Sequence, residues 1–370
     1  MDFDLSDSEQ MLVDSARSFL AGAATQEALS SSEQSDDGYD IAVWEEISAL
    51  GWAGIAVPES LGGGGGNLVH VGLVLEEVGR SALASPLREC ATVASILSVV
   101  APGAARTKQI IDRSTRGSVS VLMSPDRGRL PVFCGSVQAA PVLVDWAATA
   151  ETILSPATDA SGEKLLLVEI PAAQSGVSIE SVRTFDNGRC ASVALNGAEA
   201  LVVCDPLSPR QLDETYALAS LLRIAELLGA SAAAAEMTLA HVKSRVQFAH
   251  PIGSFQAVRH KCADMAMDLD GVRLTTYEAL WQADNGLDFV PSAAAATIFG
   301  AAACERIAWT ASQLHGGAGF MTAHPLHRHF LRIKAGQLRL GTPEEINMWA
   351  AKALLAPGRD LSPFPTRMTT

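Results

Sequence analysis

The chain has 370 residues, 48% of them apolar, and its 27 basic against 41 acidic side chains give a formal charge of -14. That length supports roughly two or three domains with a sizeable core, and the acidic balance argues against nucleic-acid binding, which needs a basic stripe to displace counterions from phosphates. No uninterrupted apolar run reaches the roughly 18 residues of a membrane span, and the acidic, amphipathic start "MDFDLSDSEQMLVDSARSFL" lacks the basic segment and apolar core of a signal peptide, so a cytoplasmic protein with no membrane span is expected.

Residues 1–116 read as an N-terminal helical domain. "SEQMLVDSARSFLAG" places Met11, Leu12, Ala16 and Leu20 at helical spacing behind acidic first-turn residues. "IAVWEEISALGWAGIAVPESLGGGGGNLVHVGLVLEEVGR" predicts a helix stopped at Gly51, a short apolar stretch ended by Pro58, a glycine run and another helix. The run 62–66 has no lysine after it as in G-K-[ST], and no strict G-x-G-x-x-G opens a βαβ unit, so a flexible turn is expected in place of a phosphate cradle.

Residues 117–206 change texture. "SVSVLM", "APVLVDW", "ETILS", "KLLLVEI", "GVSIESV" and "CASVALNG" are short β-branched runs divided by Pro, Gly, Asn and Asp, which predicts a compact β barrel or sandwich. Residues 207–370 return to helix, opening with "DETYALASLLRIAELLGASAAAAEMTLAHVKSRVQF", whose alanines suit the close packing of a four-helix bundle. Six cysteines (Cys90, Cys134, Cys190, Cys204, Cys262, Cys304) lie far apart without a C-x-x-C pair, so buried thiols are expected in place of zinc ligands or disulfides.

This α+β multidomain order resembles the acyl-CoA dehydrogenases over nearly the whole chain. The likeness rests on "MDFDLSDSEQ", "LGWAGIAVPESLGG" and "LEEVGR", then "TFDNGRCASVALNGA", then "RVQFAHPIGSFQAVRHKCADM", "QLHGGAGF" and "HPLHRHFLRIK". The resemblance implies FAD chemistry: a carboxylate removes the α-proton of an acyl-CoA thioester while hydride passes from the β-carbon to the flavin. Such a base must be close, oriented and partly desolvated.

In most of the family that glutamate precedes the Gly-Thr of the last bundle turn. Here, in "GQLRLGTPEEIN", Leu340 stands there beside Gly341 and Thr342, and a leucine accepts no proton. Some members carry the base on the first bundle helix, just before an arginine; counting back from Arg245 and Phe248, those places hold Ala219 and Ser220. Glu214, Glu226, Glu236 and Glu344 are the acids that could substitute, each more simply a solvated helix carboxylate.

Members bind FAD across a subunit interface, and the two halves of that site fare differently. The half that holds a subunit's own flavin ring comes from a T-E-P-x-x-G-S-D loop and a W-[IV]-T strand, for which this chain offers "MSPDRGRL" and "PVLVDWAAT". The half lent to a neighbour's FAD survives: by resemblance Arg245 meets the pyrophosphate, Phe255 and Gln256 line the nucleotide, and Gln313 with Gly316 and Gly317 lets the backbone approach it, with Thr342 a further cofactor contact. His324, His327 and His329 miss the spacing of H-E-x-x-H and predict no metal site. Arg328 matches the family, whereas Leu331 and Arg332 replace its usual Arg-Asp.

The expectation is therefore a non-catalytic, β-type subunit that completes the FAD site of a catalytic partner, as in the α2β2 steroid-CoA dehydrogenases of actinobacteria, with an acyl-CoA as the substrate of the complex. Two alternatives stay open: a self-sufficient homotetrameric flavoenzyme with a displaced acid, and a non-enzymatic acyl-CoA-binding or scaffold protein on the same fold.

Overall fold

A computed structural model describes residues 4–123, 130–186 and 188–355. The N-terminal region holds α1 (Asp7–Ala23), α2 (Gln26–Gln34), α3 (Ile41–Ala49), α4 (Leu68–Ser81), α5 (Leu87–Val100) and α6 (Ala105–Thr115). Their starts follow from local chemistry. Ser6 and Glu9 form a reciprocal capping box on α1, and Thr25, Asp40 and Asn67 each accept backbone N–H groups at the next three helix starts.

The glycine run is not a flexible turn. The amides of Gly63, Gly64, Gly65 and Gly66 donate to the carbonyls of Pro58, Gly54, Val57 and Ile55 at 2.8–3.2 Å. A Cβ on Gly63 would stand 2.4 Å from the Val57 carbonyl oxygen. The glycines let the chain lie on residues 54–58, and the spent amides leave nothing with which to cradle a phosphate.

The middle region contributes β1 (Ser120–Leu122), β2 (Val132–Phe133), β3 (Val137–Asp145), β4 (Thr152–Asp159), β5 (Leu165–Pro171), β6 (Val177–Arg183), β7 (Arg189–Ala198) and β8 (Leu201–Cys204). They form one eight-stranded sheet in the order β6-β7-β3-β2-β4-β5-β8, with β1 parallel to β4. Most neighbours are antiparallel, but β2 also runs parallel to β4, so the sheet is mixed. Strands β4 and β5 are buried along nearly their whole length, as expected where both faces are covered.

The last region is built on α7 (Pro209–Ser244), the hairpin β9 (Val246–Gln247) and β10 (His250–Pro251), α8 (Gln256–Asp284), α9 (Val290–His315), α10 (Leu326–Leu338) and α11 (Pro343–Leu354). The bundle's fourth position is divided between α10 and α11 at Gly341, whose φ of 113° breaks the helix. Helix α7 is long and apolar enough to cross a membrane, yet 83% of its apolar window is buried inside the protein, which explains that composition by its place in the core.

Two glycines fix how the N-terminal region meets the bundle. A Cβ on Gly79 of α4 would lie 1.9 Å from the Glu226 carbonyl oxygen of α7, and one on Gly229 of α7 would lie 1.7 Å from that of Glu76 in α4. The helices thus cross backbone to backbone. The buried-thiol expectation holds for Cys90, Cys190 and Cys304; Cys134 is exposed, and Cys204 and Cys262 are partly so.

Candidate functional site

The two places where the family carries its base lie beside one buried ionic network. Leu340 follows Arg339, the C-cap of α10, and Ala219 stands one turn before Arg223 on α7. The carboxylate of Asp145, the last residue of β3, joins these elements: its Oδ1 lies 2.8 Å from Arg339 Nε, and its Oδ2 lies 3.0 Å from Arg223 and 3.2 Å from Arg88. Arg88, in the first turn of α5, also binds Glu226 Oε2 at 2.6 Å, while Arg339 reaches Asp186 at 3.1 Å. Burial raises the Asp145 carboxyl, but the guanidiniums of Arg223, Arg339 and Arg88 outweigh it and hold it below the usual carboxylate range. A carboxylate so fixed and so acidic is a poor proton acceptor.

Three of the four acids considered as a replacement base are paired, and the fourth, Glu344, is exposed. Glu226 is not a solvated helix residue; it is committed to Arg88 inside the network. Glu214 is also buried, bonded to Arg210 at 2.8 Å. Glu236 is 65% exposed and pairs with Arg80, and Glu344 is exposed in the first turn of α11. Thr342 spends its hydroxyl on the Glu345 amide at 3.2 Å, capping α11.

Sequence reasoning missed Glu89. Its Oε1 lies 2.5 Å from Arg88 out of hydrogen-bond alignment, and neither oxygen accepts a hydrogen bond or touches solvent. Burial pushes its carboxyl up to about 7, against the pull of Arg88. A raised pKa is common in catalytic acids, but these oxygens are sealed. Beside the network a cavity of about 90 Å3 is lined by Glu33, Asp186, Thr322, His327, Arg328, Leu331 and Arg332, far below the several hundred Å3 of a small-molecule site. The available signal was the lone Arg223 and Glu226 in the apolar run "ALASLLRIAELL": charges one turn apart on a buried helix need partners.

The strand part of the ring-side half of a flavin site does not fit this chain. β3 ends at Asp145, and Trp146 turns into the left-handed region at φ 60°, followed by a short turn at Ala147–Thr149 instead of a W-[IV]-T strand. The Trp146 ring is buried and meets Tyr39 edge-on at 5.6 Å, and the Thr149 hydroxyl donates to the Trp146 carbonyl at 3.1 Å. Neither group is left to face a flavin. Positions 124–129 of "MSPDRGRL" lie outside the described residues.

At the other end of α7 the arrangement is open. The Ile252 amide donates to the Arg245 carbonyl at 2.8 Å, closing the β9–β10 hairpin back on the helix, and Phe248 meets Phe255 edge-on at 6.2 Å. Gln313 accepts from Lys261 of α8 at 2.9 Å, which brings the end of α9 to the same edge. Among the described residues, no side chain or carbonyl pairs with the Arg245 guanidinium, and Gln256 is exposed beside Phe255. Phe248 is 86% exposed at the hairpin tip, held at φ 53° with Ala249 at 63°; two residues other than glycine in that region mark a turn held under strain.

Gly316 and Gly317 supply a fit test for a nucleotide. Gly316 has φ 63°, which accounts for its glycine, but Gly317 does not, and a Cβ on either would meet nothing within 4 Å. The space over that backbone is what a cofactor could fill, so the residues of this half leave room for an FAD diphosphate.

The three histidines of 324–329 separate. His324 joins His315 and His241: the His241 and His315 rings stack at 4.4 Å, and His315 and His324 meet at 5.0 Å. His327 lines the small cavity, and burial pushes His329 down to about 3. Arg328 binds Glu33, Gln26 and Ser30, tying α10 to α2.

Comparison with known proteins accords with this architecture. The chain matches the family profiles described as acyl-CoA dehydrogenase, N-terminal domain, over residues 6–109, and acyl-CoA dehydrogenase, C-terminal domain, over residues 214–355. It is 30% identical to the acyl-CoA dehydrogenase IpdE2 of Mycobacterium tuberculosis over 346 residues, 91% of this chain and 94% of that one. Among solved structures it superposes on the ChsE4-ChsE5 complex of the same organism with a TM-score of 0.86 and 26% identity, covering 96% of this chain and 99% of the matched one. The steroid acyl-CoA dehydrogenase variant Tcur3481-Tcur3483 gives a TM-score of 0.86 at 25% identity, with 94% and 98% covered.

Proposed function

The chain belongs to the acyl-CoA dehydrogenase family, whose members are FAD-dependent, and on that premise we propose that it is the non-catalytic subunit of a heteromeric, cytoplasmic dehydrogenase. It lends Arg245, Phe255, Gln256, Gln313, Gly316 and Gly317 to the FAD of a catalytic partner in an α2β2 assembly, and performs no proton abstraction itself. When bound, FAD accepts the hydride removed from an acyl-CoA.

One contrast carries the reading. In the N-terminal half of α7, near Ala219 and Leu340, the carboxylates are locked to Arg88, Arg223 and Arg339. At the other end, the Arg245 guanidinium and the open backbone of Gly316 and Gly317 face outward without an internal purpose. A steroid side-chain CoA thioester is the substrate proposed for the complex, by analogy with the steroid dehydrogenase of similar fold.

The test is expression alone and together with a base-bearing family member. Alone, the chain is expected to be colourless or insoluble; together, a yellow complex should bleach with acyl-CoA. Flavin and turnover in the lone chain would establish the self-sufficient reading instead. Flavin-free chain beside every complete partner would leave the non-enzymatic reading.

A further inference from the structure

We propose that His241 and His315, packed against His324, form a proton-taking extension of the lent half-site, so that the complex grips the flavin diphosphate more tightly as the solution turns acidic. This rests on the subunit reading above and adds a chemical property to it.

Three elements bring the rings together: His241 lies one turn before Arg245 on α7, His315 ends α9 immediately before Gly316, and His324 precedes α10. The rings touch in series at 4.4 and 5.0 Å. They are unsuited to a metal: His241 and His315 are stacked within 23° of parallel, so their lone pairs do not converge.

Hydrogen bonds decide which nitrogens are free. His315 Nδ1 donates to the Ala311 carbonyl at 2.9 Å, which leaves its Nε2 to take up a proton. His324 Nδ1 accepts from the Leu326 amide at 3.2 Å, so its neutral ring carries hydrogen on Nε2. The charges acting on His241 and His315 are positive. Arg245 acts on His241 from its own helix, His324 acts on both other rings, and His241 acts on His315. Burial and these cations hold His241 and His315 below the usual imidazole range.

A diphosphate set against Arg245 brings negative charge to this cluster and reverses the balance. The His241 and His315 rings then bind protons more readily with the nucleotide than without it, and by linkage affinity must rise as pH falls through the bound-state titration. The diphosphate diester does not titrate in that range, so the slope belongs to the protein.

The experiment is an FAD titration of the intact complex with its catalytic partner, followed by flavin fluorescence between about pH 8 and about pH 6. Affinity should rise about tenfold toward acid for one linked proton. Both His241→Gln and His241→Tyr, the second keeping an aromatic ring on His315, should flatten the slope. A flat wild-type profile, or a slope that survives both variants, overturns the proposal. Arg245→Ala separates the two readings: a loss of affinity at every pH keeps the subunit reading, whereas unchanged affinity removes the subunit reading itself.

Discussion

The residues that distinguish the two ends of α7 make different kinds of prediction. Arg245→Ala in the complex should delete a charge-assisted contact of about 1.5–3 kcal/mol, a ten- to hundredfold loss in flavin affinity. Turnover should return with excess FAD, because the proposal places the base in the partner. Glu89→Gln should leave turnover unchanged and alter stability with a definite sign. Burial raises the Glu89 carboxyl above its unfolded value to about 7, so its contribution is fully present below the unfolded pKa and is lost as pH rises through the folded one. Glu89→Gln should therefore raise stability by of order 1–3 kcal/mol near pH 8 and little near pH 4, read from denaturant midpoints. Loss of turnover with flavin retained would identify Glu89 as a catalytic acid. Leu340 and Ala219 were legible from spacing to fixed motifs, because a missing carboxylate is visible in one dimension. The network was not: Arg88, Asp145, Arg223 and Arg339 are scattered over 252 positions, and only the crossing of four elements makes them neighbours.

Among elements, the α4–α7 crossing brings two helix backbones together beside Glu226. Gly229→Ala places a methyl 1.7 Å from the Glu76 carbonyl oxygen, and since that atom belongs to helical backbone the helices must part. A loss of roughly 3 kcal/mol or more is expected, against near neutrality for Gly103→Ala, where nothing lies within 4 Å. Equal melting temperatures for the two would show that the crossing is looser than described. The helices themselves were readable from capping residues and apolar periodicity. The glycine turn at 62–66 was not, because composition reports conformational freedom but not the carbonyls that use it up. The end of β3 was legible to within a residue, since the run "APVLVDW" stops at Trp146, but the left-handed backbone of Trp146, whose ring meets Tyr39, was not.

For the whole molecule, order and texture gave the three-part architecture, while the proposed division of labour between subunits rests on the contrast between the middle of α7 and its C-terminal end. Restoring Leu340→Glu should not create activity in the lone chain, since Arg339 and Asp145 still fill the adjoining space and the strand part of the ring-side half remains unsuited to flavin. The most direct test is the flavin content of the purified heteromeric complex, measured against subunit stoichiometry. One FAD for each pair of unlike chains, with none on this chain alone, is the predicted result. One FAD for every chain, or turnover by this chain without a partner, would contradict the account.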